Sequence, residues 1–168
     1  PVLAAISDAA VAEGNAITQI NANDGGDDLD ADGDTITYTC FYDTNNNGTV
    51  AETTACTSLS GVSFNGTSGV FDFTPGFGAA GTYEFMIKGD EGNLSDTELF
   101  VVTVSNTDLA PVLADISDET VNENVAITAI DANDSGDDQD ADGDTITYPC
   151  FYDTAVNATV AETTACTT

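Results

Sequence analysis

Histidine, arginine and tryptophan do not occur in this chain of 168 residues, methionine occurs once, and the one basic side chain is Lys88. Each scarcity removes a class of function. One base against 30 acids leaves a formal net charge of -29, so nucleic acid, itself a polyanion, is not expected as a partner. Anionic membrane surfaces are disfavoured for the same reason. No stretch approaches the run of about 20 apolar residues that a membrane-spanning helix needs, so no membrane insertion is expected. Without histidine, most nucleophilic triads and most zinc sites are lost. Paired carboxylates of the glycosidase kind remain possible by composition alone, but a duplicated active site with no cleft-forming insertion is an odd enzyme, and the chain reads as a non-enzyme. It opens on Pro1 with neither an initiator Met nor a signal peptide, which reads as a mature product or an excerpt.

What is present is enough for a core. Hydrophobic residues make up 41% of the chain and include eight Phe and five Tyr, so the charge does not by itself imply disorder. That charge has to be managed either by bound cations or by salt that shortens the screening length to about 10 Å or less.

The sequence repeats. Residues 111–168 align on residues 1–58 without a gap, and 43 of the 58 positions are identical. PVLAAISD matches PVLADISD, and CFYDTNNNGTVAETTAC matches CFYDTAVNATVAETTAC. A period of 110 residues lies far above the range of stacked solenoid layers and fits one independent sandwich domain. The expected organisation is a complete repeat over 1–110 and the N-terminal part of a second over 111–168. Two readings of the shorter copy stay open: a window on a longer array, or a half-sandwich completed by strands from another subunit. The four cysteines fall as two pairs of identical spacing, Cys40 with Cys56 and Cys150 with Cys166. One local disulfide per repeat, and an oxidising compartment, is the expectation. Thiolate metal binding is the alternative, and two cysteines without histidine make a poor zinc site.

The local patterns are those of strands. Thr82–Lys88, TYEFMIK, alternates Tyr83, Phe85 and Ile87 with Glu84, Met86 and Lys88, the period of a half-buried strand. Glu98–Val104 reads as a more buried strand, and Ala16–Ile20, Thr35–Phe41, Val62–Phe64 and Val70–Phe73 as shorter ones between Gly- and Asn-rich turns. No segment carries a helical period. The fold class predicted is all-β, with tandem antiparallel β-sandwiches.

One acidic run is printed twice, DDLDADGD at 27–34 and DDQDADGD at 137–144. Oxygen ligands at alternate positions with a Gly at the turn suit a hard cation such as Ca²⁺, which takes about 6 to 8 oxygens. Asp28, Asp30, Asp32 and Gly33 match the first half of an EF-hand loop, as do Asp138, Asp140, Asp142 and Gly143, with Asp34 and Asp144 closing each run. The match then ends. Where a bidentate Glu is needed the chain has Thr39 and Pro149, and a strand follows in place of a helix. Remaining ligands must come from elsewhere, the candidates being Glu13, Glu123, Asp90 and Asp108. A solvated acidic turn that binds nothing is the competing reading.

The order of an early Glu, a DADGD run opening a strand, Asp90 after TYEFMIKG, and an Asp-x-x-Pro joint at Asp108–Pro111 resembles cadherin repeats. It is closer still to the prokaryotic cadherin-like and Ig-like tandem domains of bacterial surface adhesins and fibres, to which GVSFNGTSGVFDFTPGFGAAGTYEF is also similar. The resemblance implies Ig-like or cadherin-like sandwiches with calcium at the joint between successive repeats. Glu13, Asp108, Asp140 and Asp142 would then serve one joint, and Asp30, Asp32 and Asp90 the joint on the other side of the first repeat. The linker SNTDLAP keeps the Asp and Pro of the cadherin linker but has Ser105 and Leu109 at other ligand positions, and no Asp-Arg-Glu motif exists. Fewer ions per joint than in animal cadherins are implied.

The function expected is an extracellular structural repeat protein, a calcium-rigidified and disulfide-stapled stalk or filament whose partners are copies of itself, head to tail. The alternative is an adhesion module that binds a surface glycan or protein through its disulfide loop, where Phe41 and Tyr42 are either displayed or simply core. Asn-x-Ser/Thr sequons at Asn47, Asn65, Asn93, Asn133 and Asn157 mark possible surface sites.

Overall fold

The computed structural model describes residues 1–154, Val160 and residues 164–166. It divides into two compact units, Pro1–Asp108 and Leu109–Thr168. The first unit holds seven strands: β1 (Ala9–Ala12), β2 (Ile20–Asn21), β3 (Thr37–Asp43), β4 (Val62–Asn65), β5 (Val70–Phe73), β6 (Gly81–Asp90) and β7 (Ser95–Ser105). They form a four-stranded sheet in the order β1-β7-β6-β3 and a three-stranded sheet in the order β2-β5-β4. This is an all-β, Ig-like or cadherin-like sandwich, as the strand signals predict. All pairs are antiparallel except β1 with β7, which run parallel from Ala9↔Val102 to Ala12↔Ser105.

The inward faces meet over a phenylalanine cluster. Phe71, Phe73, Phe85 and Phe100 are fully buried together with Ile87 and Val102. Phe71 lies edge-on to Phe85 and Phe100, with ring centroids 4.8 and 5.2 Å away, and Phe85 stacks on Phe100 at 5.3 Å. Such contacts contribute beyond the area they bury. The sheets are thus locked by residues of β5, β6 and β7.

Three local expectations change. The segment AAVA carries little strand propensity, yet it forms β1 because β7 offers it a full ladder. Of Ala16–Ile20 only the end is strand, although Ile17 N–H still donates to Phe73 O at 3.0 Å and its side chain is buried. β6 is not half-buried but buried on both faces, since Glu84 and Met86 are only 5% and 7% exposed. The cause is the disulfide loop, which folds over the outer face: Asn47 and Gly48 N–H donate to Glu84 Oε2 and Oε1 at 2.6 and 2.7 Å. Lys88 Nζ meets Glu52 Oε2 at 2.9 Å on the same side.

Both expected disulfides are present, Cys40–Cys56 and Cys150–Cys166, with Cα atoms 5.4 and 5.3 Å apart. Tyr42 N–H donates to Thr54 O at 3.0 Å within the first loop, so Cys40–Cys56 ties a return segment to the edge of β3. Tyr42 itself packs against Phe85, which makes it a core residue in place of a displayed one. Reducing this bond is expected to lower the stability of the first unit by about 3 kcal/mol. Denaturant melts of the C40S/C56S pair against the parent chain measure the loss.

In the second unit the described residues form isolated bridges, Val112↔Gln139 and Phe151↔Ala165, and a 3-10 turn at Asp134–Gly136. Val112 N–H donates to Gln139 O at 2.7 Å, as Val2 N–H does to Leu29 O in the first copy. The turn after the early Glu is also kept, since Asn124 adopts φ 66° where Gly14 has φ 76°, and Asn tolerates that left-handed region better than most residues.

Candidate metal centre

The acidic loop of the first unit is built on one side chain. Asp30 Oδ1 accepts from the N–H groups of Asp32, Gly33 and Asp34 at 3.2, 3.0 and 3.1 Å. Gly33 sits at φ 87°, which a residue with a Cβ adopts only with strain. The loop thus wraps round Asp30 Oδ1 and leaves Asp30 Oδ2 to the Pro1 ammonium. The Val2↔Leu29 bridge anchors the loop from one side. Asp28 anchors it from the other, with Oδ1 taking Ala4 N–H and Oδ2 taking the Tyr38 hydroxyl, both at 2.8 Å. Burial, and then the hydrogen bond to Asp28, hold the Tyr38 phenol well above its usual range. Both oxygens of Asp28 therefore serve the scaffold.

Asp30, Asp32 and Glu91 each offer a carboxylate oxygen, and these oxygens lie within 4.8 Å of one another. Glu91 follows directly on β6 and was not singled out from sequence. Its neighbour Asp90 was, but Asp90 Oδ1 accepts from Gly92 N–H at 2.6 Å and Oδ2 lies 4.0 Å from Lys88 Nζ. Strand alternation explains the exchange: Asp90 continues the side on which Lys88 stands, and Glu91 turns to the opposite one. The Glu91 side chain is 8% exposed, and its Oε2 is buried without a hydrogen-bond partner. The Pro1 ammonium lies 3.3 Å from Asp30 Oδ2 and 3.6 Å from Glu91 Oε2.

Three acids so close disturb one another. Hydrogen bonding from Asp32 and then Glu91 holds Asp30 well below the ordinary carboxylate range, while Asp30 in turn raises both Asp32 and Glu91. The Pro1 ammonium is the positive charge beside them, and the all-oxygen donor set also fits a hard cation.

The second unit repeats the wrap. Asp140 Oδ1 accepts from Asp142, Gly143 and Asp144 N–H at 3.2, 3.1 and 3.1 Å. Asp142 Oδ2 takes Leu109 N–H at 2.6 Å, and its Oδ1 is buried with no hydrogen-bond partner. Hydrogen bonds from Asp140 and then from Leu109 lower its pKa. Asp138 Oδ1 accepts Ala114 N–H at 2.6 Å, and its Oδ2 is likewise buried and unpartnered.

The outlying candidates divide. Glu13 is only 1% exposed, with Oε1 taking Ala80 N–H at 2.6 Å and Oε2 taking Thr107 N–H at 3.1 Å. It thereby fixes the residue before Asp108, whose Oδ1 accepts from Asn106 at 2.6 Å. Glu123, the same residue in the second copy, is exposed. Asp34 and Asp144 are exposed at the loop rims. Asn157 lies outside the described residues.

Fold and loop together define an Ig-like or cadherin-like sandwich module carrying an acidic, oxygen-only centre. No protein-family model matches the chain, and no curated protein does. Among solved structures it is similar to a chimeric titin Z1Z2 bearing a peptide from decorin, at 15% identity and a TM-score of 0.42 over 63% of this chain and 94% of that one. It is also similar to Drosophila N-cadherin EC1-4, at 18% and 0.41 over 65% and 25%, and to murine CEACAM1b, at 14% and 0.39 over 70% and 60%.

Proposed function

We propose that the chain is an extracellular structural repeat module whose acidic loops bind Ca²⁺ and stiffen a head-to-tail stalk or filament. One observation carries this reading: Glu91 Oε2 is buried, has no hydrogen-bond partner, and is held within 4.8 Å of oxygens from Asp30 and Asp32. Burying an acid costs free energy unless something pairs with it; the Pro1 ammonium at 3.6 Å offsets part of that cost, and a cation held by all three acids would offset more of it. The site repeats in kind, as Asp140 gathers the same three N–H groups that Asp30 does. Calcium at the first loop would draw on Asp30, Asp32 and Glu91, and at the second on Asp140 and Asp142, with Asp34, Asp138 and Asp144 as flanking acids. Two disulfides in so small a chain favour an oxidising, extracellular setting. Each further repeat adds the same bead, and a heterologous contact of this kind extends without closing.

Titration calorimetry of the whole chain with CaCl₂ tests the reading, paired with melts before and after chelation. Heat of binding and a chelator-reversible rise in melting temperature support it. Neither appearing would leave the loops as surface acids. The second reading, a glycan- or protein-binding adhesion module, would place its ligand on the stapled loop over 43–55, whose tip Glu84 holds rigid.

A further inference from the structure

The loop that folds over the outer face of β6 holds an Asn-x-Thr sequon at its tip, Asn47, Gly48 and Thr49, and Asn47 is exposed there. In the second copy DTNNNGTV becomes DTAVNATV. Three of the five residues from 45 to 49 differ, Asn45, Asn46 and Gly48 against Ala155, Val156 and Ala158, and the two that agree are the Asn and the Thr of the sequon. Over the residues that the copies share, no other sequon stands in both: Asn133, with Ser135, matches Asn23, which has Gly25 two places on. The acceptor pattern is thus kept in a stretch where its neighbours change.

The fold holds this loop by groups other than the Asn47 amide nitrogen. The backbone N–H groups of Asn47 and Gly48 donate to Glu84, Glu52 meets Lys88, Val50 is buried, and Cys40–Cys56 closes the base. The Asn47 side chain turns its oxygen to Thr49, with Oδ1 accepting from the Thr49 N–H at 3.0 Å and from the Thr49 hydroxyl at 2.7 Å. Among the described residues Nδ2 has no hydrogen-bond partner. A substituent on Nδ2 therefore breaks no contact and stands on a fixed backbone. The other two sequons of the first unit are placed differently. Asn65 Oδ1 accepts from Thr67 and Ser68 N–H at 2.9 and 3.2 Å, in a hairpin that β3 backs through Tyr38 N–H to Gly66 O at 2.8 Å. Asn93 stands in the turn between β6 and β7 that also carries Glu91 of the acidic centre.

We propose that Asn47 is an N-glycosylation site, so that the stapled loop bears a glycan where the adhesion reading would have it bind one. The co-substrate is an oligosaccharide carried on a polyprenyl pyrophosphate. Asn47 Nδ2 forms a bond to C1 of the first sugar, the bond from C1 to the pyrophosphate oxygen breaks, and the polyprenyl pyrophosphate leaves with that electron pair. The proton lost from Nδ2 goes to a general base of the transferase, and no atom changes oxidation state. Asn157, with Thr159, is the matching acceptor in the second copy. A bulky, hydrophilic chain on Asn47 shields the exposed backbone of the loop and leaves the disulfide and Glu84 beneath it unaltered. The proposal shares the extracellular setting of the stalk reading and does not depend on calcium.

The test secretes the full chain from eukaryotic cells that N-glycosylate their exported proteins and maps its glycopeptides by mass spectrometry. Release by peptide-N-glycosidase in heavy-oxygen water marks each occupied Asn as a labelled Asp. Expected are a glycan mass on the peptide that contains Asn47, its loss in Asn47→Asp and in Thr49→Val, and its retention in Thr49→Ser. Asn47→Asp keeps an oxygen to accept from Thr49, so a secreted and folded chain of lower mass separates loss of the acceptor from loss of the fold. Should that variant fail to be secreted, Thr49→Val, which leaves Asn47 and its contacts to Glu84 in place, gives the same reading. A secreted, folded parent chain with no glycan at Asn47, whether bare throughout or modified only at Asn65 or Asn93, overturns the proposal. So does a glycan mass on that peptide that persists in both Asn47→Asp and Thr49→Val, since its attachment would then be to another side chain.

Discussion

Calcium at a hundredfold excess over its dissociation constant is expected to stabilise the first unit by about 2.7 kcal/mol, a rise on the order of 10 °C or more for a unit of this size. Asp30→Asn should abolish the response, because that carboxylate is both the centre of the loop wrap and one of the three clustered acids. Glu91→Gln separates ligand from scaffold. In chelator it is expected to melt at or above the parent, since it removes one of three mutually repelling charges, yet it should lose most of the calcium response. A Glu91→Gln chain that keeps the full response would sink the assignment of Glu91. The pH dependence of the cation-free chain has a definite sign. Asp32 and Glu91 have raised folded pKa values, so their contribution is full below the unfolded values and is lost as the pH rises through the folded ones. Asp30, lowered, contributes above its unfolded value and loses that only as the pH falls well below the ordinary carboxylate range. Melts in chelator should therefore improve as the pH is lowered from neutrality into the upper carboxylate range, and calcium should flatten that slope.

Phe85→Ala is expected to cost about 3 to 5 kcal/mol, enough to unfold the first unit under mild conditions given the stability of ordinary domains. The ring is fully buried and touches Phe71, Phe73, Phe100, Tyr83 and Tyr42, so little can collapse into the space it leaves. Tyr152→Ala, at a position 51% exposed in the second unit, should change stability by about 0.5 kcal/mol or less. Denaturant melts of the two variants measure the contrast, and a large effect at Tyr152 would show that the second unit packs a core of its own around it.

Much of this was legible in the residues. Alternation and β-branched runs located β3 to β7 within a few residues, because those strands bury large side chains on a period of two. β1 was not legible. AAVA has no pattern that distinguishes it from a loop, and it becomes a strand only because β7 lies beside it. The double burial of β6 was hidden for a related reason: Glu84 and Lys88 read as a solvent face, and only the returning disulfide loop turns that face inward and pairs both charges. Glu91 was missed in favour of Asp90 because composition puts an acid at each position, and the choice between them depends on which way the chain turns as it leaves β6.

The sequence by itself determined the all-β class, the 110-residue period, and the pairing of Cys40 with Cys56 and of Cys150 with Cys166, since pattern, period and spacing are properties of the chain alone. The tertiary structure decided which acids meet. Asp28 and Glu13 spend both carboxylate oxygens on backbone and hydroxyl donors, whereas Glu91, 61 residues from Asp30 in the sequence, is brought to its side by the β3–β6 pairing. Proximity between residues so far apart is set by strand register, and no local pattern encodes it.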